Sequence, residues 1–156
     1  MTQRYILDEN IVILAQKQET DSGESDFTCR QLLNDIIEIC HTIVFDPVLW
    51  AKCYYQLRGL PPDQPHGPRS LLRLFYQALQ RDGKIENSRH DAPSFPEEND
   101  IPQGSQDDVP LVRLAVDSRA TLVTTDRHLM ADLNSCGVQE KYGLEVLSPE
   151  QALSDL

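Results

Sequence analysis

Acidic residues stand beside hydrophobic segments in separate parts of this sequence. Asp8 follows a first apolar run, and Asp126 follows a second one at 121–125. Asp107 and Asp108 precede a helical segment that leads into that second run. Neighbouring parallel strands would bring these carboxylates to one edge of the sheet, where open α/β sheets bind ligands. Because a divalent cation stabilises such a gathering of like charges, the pattern predicts a Mg²⁺ or Mn²⁺ site suited to phosphate chemistry.

Length and composition indicate one globular domain. The chain has 156 residues, of which 40% are hydrophobic, so we expect a single domain over 1–156. No apolar run approaches the ~20 residues needed to cross a bilayer. The first residues do not resemble a signal peptide, which predicts a cytoplasmic protein. The four cysteines form no CxxC pair and no zinc spacing, so we expect reduced thiols.

The charge is strongly negative and unevenly distributed. A net charge of −11 argues against a general nucleic-acid coat protein, although carboxylates in a metal site are neutralised once the metal binds. Segment 69–90 contains five basic and two acidic residues, a net of +3. Arg69, Arg73 and Arg81 in this segment are therefore the predicted RNA-binding residues. The alternative is that these charges form only a solvated helix face.

Alternating strand and helix patterns predict the fold class. Such alternation implies right-handed crossovers, and therefore an α/β fold of three α/β/α layers around a parallel sheet of about four to five strands. The polar, proline-rich segment 87–106 is expected to be a long mobile loop. The predicted strands are 5–7, 42–45, 84–86, 121–125 and 144–147, and the predicted helices are 11–15, 30–40, 47–58, 70–81, 108–118, 127–134 and one from 149.

Three segments, in this order, resemble a PIN domain, the nuclease fold of VapC-type toxins and of many RNA-processing enzymes. Ile6–Asn10 is similar to the strand that ends in Asp-x-Asn in that family. Asp108–Ala115 resembles the aspartate at the head of an alanine-containing helix, and Leu122–Leu129 resembles the "LVTxDxxL" strand end. The tail 144–151 is a weaker match. The resemblance covers essentially the whole chain.

The resemblance implies a metal-dependent ribonuclease. Asp8, Asp108 and Asp126 would hold one or two Mg²⁺ or Mn²⁺ ions and would be the catalytic residues. The implied reaction is hydrolysis of RNA phosphodiester bonds. For a toxin of a toxin–antitoxin pair, the implied partners are RNA, an antitoxin protein and a second copy of the chain.

One position departs from the PIN pattern. The family usually carries a glutamate on the helix after the second strand, where this chain has Lys52 and Cys53. Asp46, at the end of the second strand, is the preferred replacement ligand, and Asp107 and Glu9 are further candidates. A lysine that pointed into the site would repel metal, so we expect Lys52 to point to solvent.

Supporting roles are predicted for polar neighbours of these acids. Thr124 or Thr125 would orient a water through its hydroxyl group, and Asn10 would fix the Asp8 carboxylate or contact a phosphate. Each residue also has a simpler interpretation. Asn10 would cap the first helix, and Asp126 would cap the helix that follows it.

Two functions from different classes fit this sequence. The first is the ribonuclease. The second is a PIN-fold binding or scaffold module that has lost its second acidic residue. Other aspartate–metal proteins fit poorly: haloacid dehalogenase-type phosphatases need Asp-x-Asp after the first strand, where Asp8 is followed by Glu9 and Asn10. Response-regulator receivers need an acceptor aspartate on the third strand and a lysine after the fifth, and this chain has neither.

Overall fold

A five-stranded parallel sheet organises the protein. The computed structural model describes residues 3–18, 23–24, 26–39, 41–58, 85–87 and 95–156, without the side chains of 53–58 and 85–87. The α/β class and the parallel sheet predicted from the sequence are confirmed, and the arrangement is compatible with three α/β/α layers. The strands are β1 (Arg4–Leu7), β2 (Thr42–Phe45), β3 (Ile85–Asn87), β4 (Thr121–Val123) and β5 (Val146–Leu147).

The strand order places β1 at the centre of the sheet. The order is β3-β2-β1-β4-β5, so the chain moves outwards from β1 first in one direction and then in the other. Tyr5 pairs with Ile43 of β2 on one side and with Thr121 of β4 on the other. Leu7 and Val123 pair at the carboxyl ends of β1 and β4. Doubly wound sheets bind ligands where the strand order reverses, which here is between β1 and β4.

Helices connect the strands and carry the residues that border this edge. Asp8 and Asp108 each precede the first residue of a helix, and Asp126 occupies the N-cap of another. The helices are α1 (Glu9–Lys17), α2 (Thr28–Glu38), α3 (Pro47–Arg58), α4 (Val109–Ser118), α5 (Arg127–Ser135), α6 (Val138–Tyr142) and α7 (Pro149–Asp155).

Apolar strands form the centre of the core. All four residues of β2 are buried, as are Tyr5, Ile6 and Leu7 of β1. Such uniform burial is expected of parallel strands, because a strand covered by helices on both sides has no solvent-facing row. Every described helix contributes at least one buried side chain to this core, including Leu49 of α3 and Val138 of α6. The aspartates that follow β1 and β4 are thereby attached to a rigid base.

The segment 97–106 differs from the loop expected there. It contains two 3₁₀ helices, Glu98–Asp100 and Gln103–Asp108. Gln106 Nε2 donates hydrogen bonds of 2.7 Å to the carbonyl oxygens of Glu98 and Ile101. The sequence indicated no regular structure over 97–106, because side-chain hydrogen bonds to backbone, and not hydrophobic periodicity, stabilise these two short helices. The mobility expected of 87–106 stays a prediction.

Smaller differences concern helix ends. Helix α1 begins at Glu9, so Asn10 lies inside its first turn and is not its N-cap as predicted. Helix α6 was not predicted. The predicted helix 70–81 and the predicted RNA-binding residues Arg69, Arg73 and Arg81 lie outside the described residues.

The predictions about reduced cysteines and about membrane-spanning segments can also be compared with the structure. Cys136 is a free thiol, as expected for this cysteine. Among the described residues, none of the helices has the length and apolar character needed to cross a membrane.

Candidate functional site

Asp8 lies at the point where the strand order reverses. Its backbone N–H donates to the carbonyl oxygen of Val123 at 3.0 Å, which extends the pairing of β1 with β4 by one residue. Its side chain is only 7% exposed. Thr124 Oγ1 donates a 2.9 Å hydrogen bond to Asp8 Oδ2. Burial raises the pKa of the Asp8 carboxyl, the bond from Thr124 opposes that rise, and the charges of Glu9 and Asp126 add to it.

Thr124 connects Asp8 to Asp126. Its hydroxyl oxygen accepts a 3.0 Å hydrogen bond from the backbone N–H of Asp126 while its proton goes to Asp8. The Thr124 side chain is fully buried. A single hydroxyl group therefore fixes the carboxylate after β1 relative to the backbone after β4. The role predicted for Thr124 from the sequence was a different one, that of orienting a water.

Asp126 is a helix cap as well as a candidate ligand. Its Oδ1 accepts hydrogen bonds from the backbone N–H groups of His128 at 3.0 Å and Leu129 at 3.1 Å. The capping interpretation of this residue is thus confirmed. Both bonds use the same oxygen. Among the described residues Oδ2 accepts no hydrogen bond in the structure, so the cap leaves one carboxylate oxygen for another ligand.

Asp108 completes the group of carboxylates. It precedes α4, and within the described chain its side chain makes no capping bond there. Burial and, after it, the charges of Asp8, Asp126 and Asp107 together raise its pKa from 3.8 to about 6, although the charge of Lys52 acts in the opposite direction. The structure thus brings Asp8, Asp108 and Asp126 within electrostatic range of one another. These three residues are 118 positions apart at most in sequence, between Asp8 and Asp126.

Asp8 and Asp108 border a small cavity, which we name the acid cleft. It encloses about 50 Å³, room for one or two water-sized groups. Apolar side chains from α3 and α4 form part of its wall, which keeps the carboxylates partly desolvated. Its charged lining residues are Asp8, Glu9, Asp46, Lys52, Asp107 and Asp108.

Lys52 and Asp46 show how the departure from the PIN pattern is accommodated. Lys52 is exposed, as expected, yet it also lines the acid cleft and its positive charge lowers the pKa of Asp108. Asp46 lines the same cleft, and its Oδ1 accepts a 2.6 Å hydrogen bond from the backbone N–H of Leu49. Asp46 therefore caps α3. Asp46 thus lines the cleft with one carboxylate oxygen already engaged in the cap, and its role as the replacement ligand stays a prediction.

The donor set fits a hydrated Mg²⁺ or Mn²⁺ ion better than a closed metal cage. Among the described residues, no group of three His, Cys, Asp or Glu side chains is arranged to hold a metal ion by itself. Mg²⁺ usually keeps several waters and is bound through one or two carboxylates together with phosphate oxygens. Asp8 and Asp108 in the acid cleft provide such carboxylates. Structural zinc sites are usually built from cysteine and histidine, and neither residue type is among the described residues that line this cleft.

A larger groove lies on the other side of Asp126 and Thr124. It encloses about 900 Å³ and lies between α1, α2, α5 and the start of α7. Asn10 and Thr125 line this groove and not the acid cleft. Asn10 is exposed, and in the described structure it makes no hydrogen bond to Asp8, so the predicted fixing of Asp8 is carried out by Thr124. Asn10 and Thr125 can still contact a long ligand that passes from the groove to the cleft.

A polar cluster that the sequence analysis missed lies next to the site. Ser105 Oγ donates a 2.7 Å hydrogen bond to Asp132 Oδ2, and His128 Nδ1 lies 3.3 Å from the same oxygen. Ser105 and Asp132 are 27 positions apart. His128 and Asp132 have the i, i+4 spacing of one helical turn. That spacing was visible in the sequence, but the serine was not, because it belongs to the turn expected to be mobile.

No protein-family model matches the chain, and no curated protein matches it at a significant level.

Proposed function

We propose that this protein is a Mg²⁺- or Mn²⁺-dependent ribonuclease of the PIN type. The observation that carries the proposal is the convergence of Asp8, Asp108 and Asp126 where the strand order reverses, close enough that the charge of Asp126 raises the pKa of the other two. A group of carboxylates kept in a partly buried cleft is costly to a protein unless a cation neutralises it. Such arrangements are concentrated at functional sites.

The three aspartates and Thr124 have different roles in the proposed site. Asp8 and Asp108, which line the acid cleft, would hold the ion, and Asp126 would add the carboxylate oxygen that does not cap α5. Thr124 keeps Asp8 oriented by donating a hydrogen bond to it. The bound ion supplies activation of a water and stabilisation of charge on the phosphate. Hydrolysis joins the water oxygen to phosphorus and breaks one phosphorus–oxygen ester bond of the RNA.

The shape of the site favours a strand that lies across it. The acid cleft has room for an ion and its waters but not for a nucleotide. The larger groove shares Thr124 and Asp126 with the site and has the volume of a typical ligand pocket. A single-stranded RNA would place its scissile phosphate over the carboxylates and neighbouring nucleotides along the groove. Arg69, Arg73 and Arg81 remain the proposed additional contacts to the RNA backbone.

A second candidate function is a PIN-fold binding or scaffold module. The ammonium group of Lys52 beside the acid cleft favours it, because a resident positive charge partly neutralises the acids without metal. In this function the chain binds its partner with little or no catalysis. The role of toxin belongs to the first function, and an antitoxin that copurifies and blocks RNA cleavage would support it. Dimerisation and cytoplasmic location remain predictions.

Metal binding and cleavage can be measured on the same preparations. Calorimetry with Mn²⁺ and Mg²⁺, followed by cleavage of single-stranded RNA, should give binding and metal-dependent products for the wild type. Asp8→Asn should abolish both. Asp117→Asn, a matched change at an exposed position of α4, should leave both unchanged. Absence of binding heat together with absence of cleavage at millimolar Mn²⁺ would favour the binding module.

A further inference from the structure

Two structural elements carry the carboxylates on the β4 side of the site. The turn Gln103–Asp108 ends in Asp108, and α5 is capped by Asp126. Their relative position therefore decides how far apart these two carboxylates lie. The backbone pairing of β1 with β4 cannot fix it, because the turn belongs to neither strand.

One polar cluster joins the turn to the helix. Ser105 in the turn donates its hydroxyl proton to Asp132 Oδ2 of α5 at 2.7 Å, and Ser105 is only 2% exposed. His128 Nδ1 lies 3.3 Å from the same Asp132 oxygen. A buried hydroxyl group that lost this acceptor would remain unsatisfied, so the bond strongly favours one position of the turn.

Close packing supports the same connection. A Cβ atom added to Gly104 would lie 2.9 Å from His128 Cε1, so the imidazole ring rests directly on the turn backbone. The backbone N–H of His128 also donates to Asp126 Oδ1. His128 is therefore in contact with the turn, with Asp132 and with one of the candidate ligands.

The cluster is not arranged as a hydrolytic triad. In such a triad the serine hydroxyl is bonded to the imidazole, and the imidazole to the carboxylate. Here both the serine and the histidine approach the same Asp132 oxygen. The geometry suits a structural connection and not the activation of a nucleophile.

We propose that Ser105, His128 and Asp132 are positioning residues that set the separation between the Asp108 and Asp126 carboxylates. The functional meaning of this inference rests on the proposed metal-dependent activity, since the separation matters for binding an ion. The positional claim itself does not require metal. Residues that orient ligands from outside the coordination sphere typically change metal affinity by about 10- to 100-fold when removed.

The decisive variant is Ser105→Ala, which removes the hydroxyl group without changing any charge. We expect Mn²⁺ affinity measured by calorimetry to fall about tenfold. In metal-free crystal structures, the distance between the Asp108 and Asp126 carboxylates should change by more than about 0.5 Å, the tolerance of a preorganised site. The matched control is Ser135→Ala on the same helix, whose hydroxyl group donates at 3.2 Å to the backbone carbonyl of Asp132. It should leave both quantities unchanged.

Rescue by a conservative variant separates positioning from stability. Asp132→Asn keeps an oxygen that can accept from Ser105 and should keep affinity close to wild type, whereas Asp132→Ala should behave as Ser105→Ala does. Lower thermal stability of Ser105→Ala with unchanged Mn²⁺ affinity and unchanged separation would overturn the inference and leave the proposed function intact. If the wild type binds no Mn²⁺, the proposed function fails, and the carboxylate separations alone then decide the inference.

Discussion

Thr124 and Asp8 are 116 positions apart in the sequence, yet the threonine hydroxyl donates a 2.9 Å hydrogen bond to Oδ2 of the aspartate. Both side chains are buried. The same hydroxyl oxygen accepts from the backbone N–H of Asp126. This side chain therefore links two of the three candidate ligands, and its removal affects both.

Thr124→Val tests that link with a side chain of similar shape. The buried Asp8 carboxylate loses a donor and the Asp126 N–H loses an acceptor, so we expect the free energy of unfolding to fall by about 1–3 kcal/mol. The pKa of Asp8 should rise further, because the bond from Thr124 lowers it. Chemical denaturation and carboxyl NMR titration measure these effects. Thr124→Ser keeps the hydroxyl group and should recover most of the loss; equal losses in both variants would argue against the link.

Asp108 should make the metal-free protein less stable at high pH. Its folded-state pKa of about 6 lies above the ordinary value of 3.8. Below pH 3.8 the group is neutral in folded and unfolded protein and costs nothing. Above pH 6 it is ionised in both, and the folded state bears the penalty. The free energy of unfolding therefore falls as the pH rises from 3.8 to about 6, and the full loss is present at higher pH.

Asp108→Asn measures that contribution. Because Asp108 is half-buried and screened by solvent, we expect the variant to be more stable than wild type by only on the order of 1 kcal/mol at pH 8. At pH 4 the two proteins should be nearly equal. Thermal denaturation in a metal chelator across this range gives the difference, and a pH-independent difference would contradict the raised pKa. Asp117→Asn on the same helix is the control.

Lys52→Glu should tighten metal binding. The change removes a positive charge from the lining of the acid cleft and adds a carboxylate near the position where PIN domains usually carry one. A unit charge near a protein surface contributes about 1 kcal/mol or more at short range, so we expect Mn²⁺ affinity to increase by about five- to tenfold. Lys141→Glu, at an exposed position of α6, makes the same change in net charge away from the cleft. Similar gains in both variants would mean that net charge, and not Lys52, controls affinity.

Asp46 can be a metal ligand, a helix cap or both, and two substitutions distinguish these roles. Asparagine caps helices about as well as aspartate, so Asp46→Asn should preserve α3 while removing the negative charge. If Asp46 binds metal, Mn²⁺ affinity and RNA cleavage should fall about as much as in Asp8→Asn. Asp46→Ala should additionally cost about 1 kcal/mol of stability through the lost cap. A stable Asp46→Asn protein with wild-type Mn²⁺ affinity would assign Asp46 to capping alone.

The basic segment 69–90 should contribute to the salt dependence of RNA binding. Arg73→Ala combined with Arg81→Ala should weaken binding and flatten the plot of log affinity against log salt, because fewer counterions are released from the RNA. Filter binding at several salt concentrations measures the slope. Lys141→Ala serves as the control for one lost surface charge. An unchanged slope would assign these arginines to a solvated face.

Sequence reasoning could predict the parts of the fold that depend on local runs or repeats of apolar residues. Strand β2 has the predicted bounds because four consecutive buried residues stand between polar ones. The common edge for Asp8 and Asp126 follows from parallel pairing of β1 with β4, which alternating strands and helices already implied.

What could not be predicted depends on single polar contacts. The turn Gln103–Asp108 has no apolar period, and bonds from Gln106 to two carbonyl groups hold it in place. The link from Thr124 to Asp8 and the bond from Ser105 to Asp132 also join residues distant in sequence. Spacing rules within one helix or strand carry no information about such pairs.

The central position of β1 has a consequence for synthesis of the chain. Asp8 is synthesised well before the strand that pairs with β1 on the site-forming side, which begins only at Thr121. A nascent chain that ends before β4 has emerged lacks both Thr124 and Asp126, and it cannot enclose Asp8. Because domains generally fold as units during synthesis, the edge that joins Asp8 to Asp126 cannot assemble until β4 and the residues after it have been made.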